Sequence, residues 1–147
     1  VPVPCATSAL RVGIGHANGA AGSIYYPLVF TNVSATDCTM FGYPGVSFVS
    51  ATSGRQLGGA AVRNPTFAPR PVTLAPGATA HASLQVVVAQ TYPVSICHPV
   101  TAHRLRVYPP GQFAPLYLGF TSQTCTAHVP GGSTLGIYVV RPGSTGP

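Results

Sequence analysis

Asp37 is the one carboxylate side chain in 147 residues, set against seven arginines, no lysine and five histidines. Catalysis by a pair of carboxylates acting as general acid and base needs two such groups, and Ca²⁺ or Mg²⁺ sites need several, so both chemistries are closed to this chain. Nucleophilic catalysis asks for less, because a serine, a histidine and a single acid suffice. That acid would have to be Asp37, which adjoins Cys38. No G-x-S-x-G elbow is present, and Ser47 in Gly45-Val46-Ser47-Phe48-Val49 lacks the second glycine. Asp37 reads instead as a turn or cap residue.

Soft metal ligands are better supplied. Cys97, His98, His103, Cys125 and His128 are available, with Cys125 and His128 at C-x-x-H spacing, and a structural zinc there would replace a disulfide. On a strand, however, Cys97 and His98 would point to opposite faces, the spacings match no zinc module, and Cys5 and Cys38 would still need each other. The run Gly13-Ile14-Gly15-His16-Ala17-Asn18 resembles the opening of a phosphate-binding G-x-G-x-x-G loop with its last glycine replaced. No helical segment follows to supply the N-terminus such a loop needs, so a loose turn is the better reading. His16 and His81 read as surface or satisfied side chains. No metal and no cofactor is expected.

The arginines carry the remaining chemistry. Net charge is +6, and every positive side chain is a guanidinium that stays charged at any physiological pH. Anionic partners follow: an acidic envelope polymer, a lipid headgroup, or a protein partner. Arg104, Arg106 and Tyr108 alternate along one segment, and same-face arginines beside an aromatic ring can grip an anion and stack at once. This trio is the candidate binding surface. The other arginines, at positions 11, 55, 63, 70 and 141, are scattered and match no nucleic-acid motif. A solvated strand face and charge kept for solubility are the ordinary alternatives.

The elements that must position these residues are strands. Seventeen glycines and sixteen prolines interrupt every window long enough for a helical apolar period. Short runs rich in Val, Ile, Tyr, Phe and Thr lie between the turns, as in an antiparallel sandwich or barrel of about eight strands. Residues 9–15 form a first candidate. Residues 24–31 follow, with Ile24, Tyr26, Leu28 and Phe30 on one face; Pro27 places that strand at a sheet edge, or turns its missing N–H outward. Val46 and Phe48 share a face in residues 46–50, and residues 55–57 and 60–63 are short edge pieces. Residues 72–74 end at the Ala75-Pro76-Gly77 turn. In residues 79–89, Ala82, Leu84, Val86 and Val88 alternate with His81, Ser83 and Gln85. Leu105 and Val107 oppose the arginine trio, and residues 115–120 and 135–140 complete the set.

The length suits one domain over residues 1–141, with 142–147 as a flexible tail. Hydrophobic residues make up 46% and charged residues 5%, so a packed core is expected, and no run is long enough to span a membrane. Four cysteines allow three pairings; the sequential one, Cys5–Cys38 with Cys97–Cys125, is favoured, each bridge being worth roughly 3–4 kcal/mol in the chain-entropy picture. The first residue is Val1, and a removed export signal would suit the cysteine usage.

Taken in order, Tyr26-Pro27-Leu28-Val29-Phe30-Thr31-Asn32, Cys38, Phe41-Gly42-Tyr43-Pro44-Gly45-Val46, Leu74-Ala75-Pro76-Gly77, Cys97, Leu105-Arg106-Val107-Tyr108-Pro109-Pro110 and Cys125 resemble an exported actinobacterial family known as a domain of unknown function. The resemblance covers nearly the whole chain. It implies a secreted or lipid-anchored envelope protein with an immunoglobulin-like β-sandwich, and it carries over no catalytic residue. Val1-Pro2-Val3-Pro4-Cys5 lacks the small-residue pattern of a lipobox, so any anchor is expected upstream. The functional expectation is a non-enzymatic binding or interaction domain. A Ser/His hydrolase or transferase and a structural spacer are its alternatives, and oligomeric state is left open.

Overall fold

The computed structural model describes residues 2–145. In chain order its strands are β1 (Val3–Pro4), β2 (Leu10–Ile14), β3 (Asn18–Ala20), β4 (Ser23–Asn32), β5 (Cys38–Met40), β6 (Gly45–Val49), β7 (Gln56–Leu57), β8 (Val62–Arg63), β9 (Val72–Leu74), β10 (Thr79–Val87), β11 (Pro99–Tyr108), β12 (Leu116–Cys125), β13 (Leu135–Ile137) and β14 (Arg141–Pro142). A single helical turn, α1 (Val94–Cys97), precedes β11. The chain is all-β, as its composition implies. It holds fourteen strands among the described residues rather than about eight, because the prolines and glycines cut several segments to two or three residues.

These strands form three sheets. Seven strands follow the path β2-β4-β10-β13-β8, with β3 on β4 and β14 on β10; four follow β12-β11-β6-β7; and β1-β5-β9 make a small third sheet. Pairing is antiparallel except at β1–β5 and β13–β8. The alternation read from the sequence sets the inner faces: Leu28 and Phe30 of β4, Ala80, Ala82, Leu84 and Val86 of β10, Val46 and Phe48 of β6, and Leu105 and Val107 of β11 all enter one core. Aromatic rings bridge the two larger sheets, with Tyr26 edge-on to Phe120 at 4.9 Å. Phe48 stacks against Phe120 at 6.1 Å.

Pro27 corrects one expectation and explains a motif. β4 is interior, paired to β10 along its length and to β2 and β3 on its other side, so Pro27 is not at an edge. Its carbonyl accepts from Gly15 N–H at 2.9 Å. In an antiparallel strand a residue's N–H and C=O leave on the same side, so the missing donor falls in the gap between the end of β2 and the start of β3. Gly15 is required there, since a Cβ would lie 2.6 Å from Pro27 Cγ. Of the two glycines that resembled a phosphate loop, Gly15 thus lets the chain pass over a proline, while Gly13 is an ordinary residue of β2 with open space beside it.

The disulfides are Cys5–Cys38 and Cys97–Cys125. The first joins the end of β1 to its neighbour β5 within the small sheet, and both its cysteines are buried in the main core. The second lies in a separate small core with Ala89 and Val129, beneath Tyr92. The expected flexible tail begins on a sheet: Pro142 pairs with Ala80, and Gly143 N–H donates to Thr79 O at 3.1 Å. Gly146 and Pro147, the end of that tail, lie outside the described residues, as does Val1. No helix of the described residues is long and apolar enough to cross a membrane, and the two disulfides fit an oxidising compartment.

Candidate functional site

Arg104, Arg106 and Tyr108 stand on the outer face of β11, opposite the buried Leu105 and Val107. A register irregularity between Ala102 and Arg104 shapes this face. Ala102 and Leu105, three residues apart, both reach the core, and His103 and Arg104 both stay outside. Arg104 sits opposite Val49 of β6 and Gly119 of β12, while Arg106 sits opposite Ser47 and Tyr117.

Two rings and an amide hold the guanidinium groups. Arg104 Cζ lies 4.1 Å from the centroid of the Tyr117 ring. Arg106 Cζ lies 5.4 Å from that of Tyr108, and its Nη2 donates to Gln56 Oε1 at 3.1 Å. Its Nε, enclosed by surrounding side chains, has no hydrogen-bond partner. Ring faces are the available counter-groups because acids are absent: Asp37 is exposed on the turn before β5, remote from β11 in the sheet order. Each such contact is worth about 0.5–1 kcal/mol at an exposed site. The same solution recurs elsewhere, with Arg63 over Tyr43 at 5.2 Å and Arg141 over Phe67 at 4.1 Å.

The sequence placed the trio on one face but missed Tyr117, Gln56 and Gly119, which complete it. Tyr117 was legible in part, as the outward residue between Leu116 and Leu118. Its position beside Arg106 required the β11–β12 register, and Gln56 required the β6–β7 pairing.

The other constellations are used differently. Cys97 and Cys125 are joined to each other, which removes both thiolates from the zinc arrangement, and no group of three or more His, Cys, Asp or Glu gathers among the described residues. His98 closes α1 in a left-handed conformation, donating its N–H to Val94 O. His103 Nδ1 lies 3.3 Å from Thr121 Oγ1. His81 is buried, with Nδ1 3.1 Å from Gly143 O. His16 and Ser83 line one cavity of about 300 Å³ together with Ser144, without a hydrogen bond between His16 and Ser83. A second cavity, of about 400 Å³, lies beside Phe67, Arg70 and Arg141.

A family model described as a domain of unknown function (DUF4232) matches residues 5–141. No curated protein and no solved structure matches the chain.

Proposed function

The chain belongs to the family of the domain of unknown function DUF4232, and from that premise we propose that it is a non-enzymatic binding domain whose four-stranded sheet receives an anionic group on its outer face. The observation that carries this reading is the pair Arg104 and Arg106. They are held side by side over Tyr117 and Tyr108 and have no carboxylate partner among the described residues. A ring beneath a guanidinium leaves in-plane N–H donors for a carboxylate, sulfate or phosphate; at Arg106, where Nε is enclosed and Nη2 donates to Gln56, only the remaining donors serve this role. The setting proposed for this activity is secreted or envelope-associated, in an immunoglobulin-like architecture, and the anion belongs to an envelope polymer, a lipid headgroup or a protein.

Retention on a heparin-like matrix and on anionic envelope fractions, measured across a salt series, tests this reading. The expected result is retention at low salt that falls as salt rises and is lost in the Arg104→Ala, Arg106→Ala double variant. No retention at low salt would retire the anionic reading.

A structural role is the second reading, supported by the spread of guanidinium–ring contacts onto Arg63 and Arg141, outside the four-stranded sheet. In that case the double variant lowers stability by about 1–2 kcal/mol, the sum of two ring contacts, and the protein binds nothing. A Ser/His hydrolase is less well supported: His16 and Ser83 share a cavity, but Asp37, the single side-chain acid, is not among the residues that line it.

A further inference from the structure

β12 is the edge of the four-stranded sheet, paired with β11 on one side and, among the described residues, with no strand on the other. Soluble proteins ordinarily blunt such an edge with charge, proline, a bulge or brevity. β12 runs for ten residues, Leu-Tyr-Leu-Gly-Phe-Thr-Ser-Gln-Thr-Cys, with no charged residue and no proline; its one blunting feature is the register irregularity opposite Ala102 and Arg104, which leaves residues 116–119 regularly paired. The edge strand β2 of the other large sheet is half that length and carries the exposed Arg11. Alternate residues of an edge strand aim N–H and C=O away from the sheet, so β12 presents backbone donors and acceptors over residues 116–123, while Thr124 and Cys125 at its end are buried and β2 and the 89–91 turn lie close to the strand.

The side chains along this edge suit recognition. Phe113, in the turn that leads into β12, is 96% exposed, and Tyr117 is 46% exposed. Two residues beyond Tyr117 on the same outward face, Gly119 leaves open space, with nothing within 4 Å of where a Cβ would lie. Arg104 reaches from β11 to stand over the Tyr117 ring, so a fixed positive charge lies above β12 itself, beside the open edge.

We infer that β12 captures an extended acidic segment of a partner protein, which adds to the four-stranded sheet as a further strand. The inference rests on the anion-binding reading of the Arg104–Arg106 face and gives that anion a polypeptide carrier and a docking mode. Backbone pairing with β12 supplies affinity, and the two-residue period of the added strand places every second side chain on the arginine face. Acidic residues at those positions meet Arg104, while an apolar residue at the segment's end covers Phe113, an exposed aromatic of the kind that anchors interfaces. Charge selects this occupant over a second copy of the chain, since two copies of net charge +6 would bring like charges together, and an acidic segment neutralises them.

The probe is a synthetic ten-residue peptide alternating glutamate and valine. It is compared at low salt with two forms methylated on one or the other alternate set of backbone nitrogens, and with a heparin-like polyanion. The parent peptide is expected to bind and to protect β12 amides from hydrogen exchange. Methylation of the nitrogens that face β12 is expected to weaken binding at least about tenfold, with Arg104→Ala and Phe113→Ala each costing roughly three- to tenfold. If the parent and both methylated peptides bind equally, strand addition is overturned while the electrostatic face stands. If neither peptide nor polyanion binds, both readings fail. A concentration-dependent dimer that protects β12 amides without peptide would overturn the choice of occupant.

Discussion

Asn32 and Gly15 show how single residues decide this structure. Asn32 is fully buried at the end of β4, yet every polar atom of its amide is used. Nδ2 donates to Thr36 O and to Leu74 O, both at 2.9 Å. Oδ1 accepts from Ser34 N–H at 2.9 Å and Ser34 O–H at 2.7 Å. The side chain thereby ties the 32–36 turn to β9. Asn32→Ala leaves the Leu74 carbonyl and the Ser34 donors to find new partners, and is expected to cost about 2–4 kcal/mol, read as a lower urea midpoint at unchanged slope. Gly15→Ala is a different kind of fault, since its new methyl would meet Pro27 Cγ at 2.6 Å. An overpacking cost of about 1–3 kcal/mol is expected, and pairing it with Pro27→Ala should recover part of that cost. A double-mutant cycle showing strict additivity would remove the steric explanation.

At the level of elements, the long strands were readable and the short ones were not. Ala82 to Val86, and Leu105 with Val107, alternate cleanly, because each strand covers a core on one face and is polar on the other; residues 24–30 are apolar on both faces, with Pro27 buried and Tyr25 and Val29 half-buried, and are readable as a strand by composition rather than by alternation. β12 was foreseen over 115–120 only, since from Thr121 to Cys125 polar residues occupy both faces and the period disappears. Pro27 misled for a related reason: proline signals a missing donor, but which neighbour needs that donor depends on where β2 ends. The candidate site was legible as far as Arg104, Arg106 and Tyr108, whose common face follows from the two-residue period. Tyr117, Gln56 and the exposed Phe113 depend on pairing between strands distant in sequence. The disulfides separate at this scale as well. Their loops are close in length, 33 and 28 residues, so the entropic contribution is roughly 3–4 kcal/mol for either. Their surroundings differ, however. Replacing Cys5 and Cys38 by alanine should lower global stability. Replacing Cys97 and Cys125 should in addition raise hydrogen exchange locally across 89–98, where the small core around Val129 has little else to hold it.

For the molecule as a whole, the consequence of having arginine as the sole basic side chain besides histidine is a charge that salt can screen but alkaline pH cannot remove. A lysine-based surface would begin to discharge as pH approaches 10, whereas guanidinium groups stay protonated well beyond it. Retention on an anionic matrix should therefore be level between pH 7 and 9 at fixed ionic strength, while falling steeply with added salt at any pH in that interval. The slope of log retention against log salt should become shallower by about one for each arginine removed from the face, if each neutralises one anionic site. Arg104→Ala and Arg106→Ala are expected to do this, and Arg11→Ala, on the edge of the other large sheet, is not. Equal effects from all three would mean that the net charge of +6 acts as a diffuse field, and that the ring-stacked pair on β11 has no special part in binding.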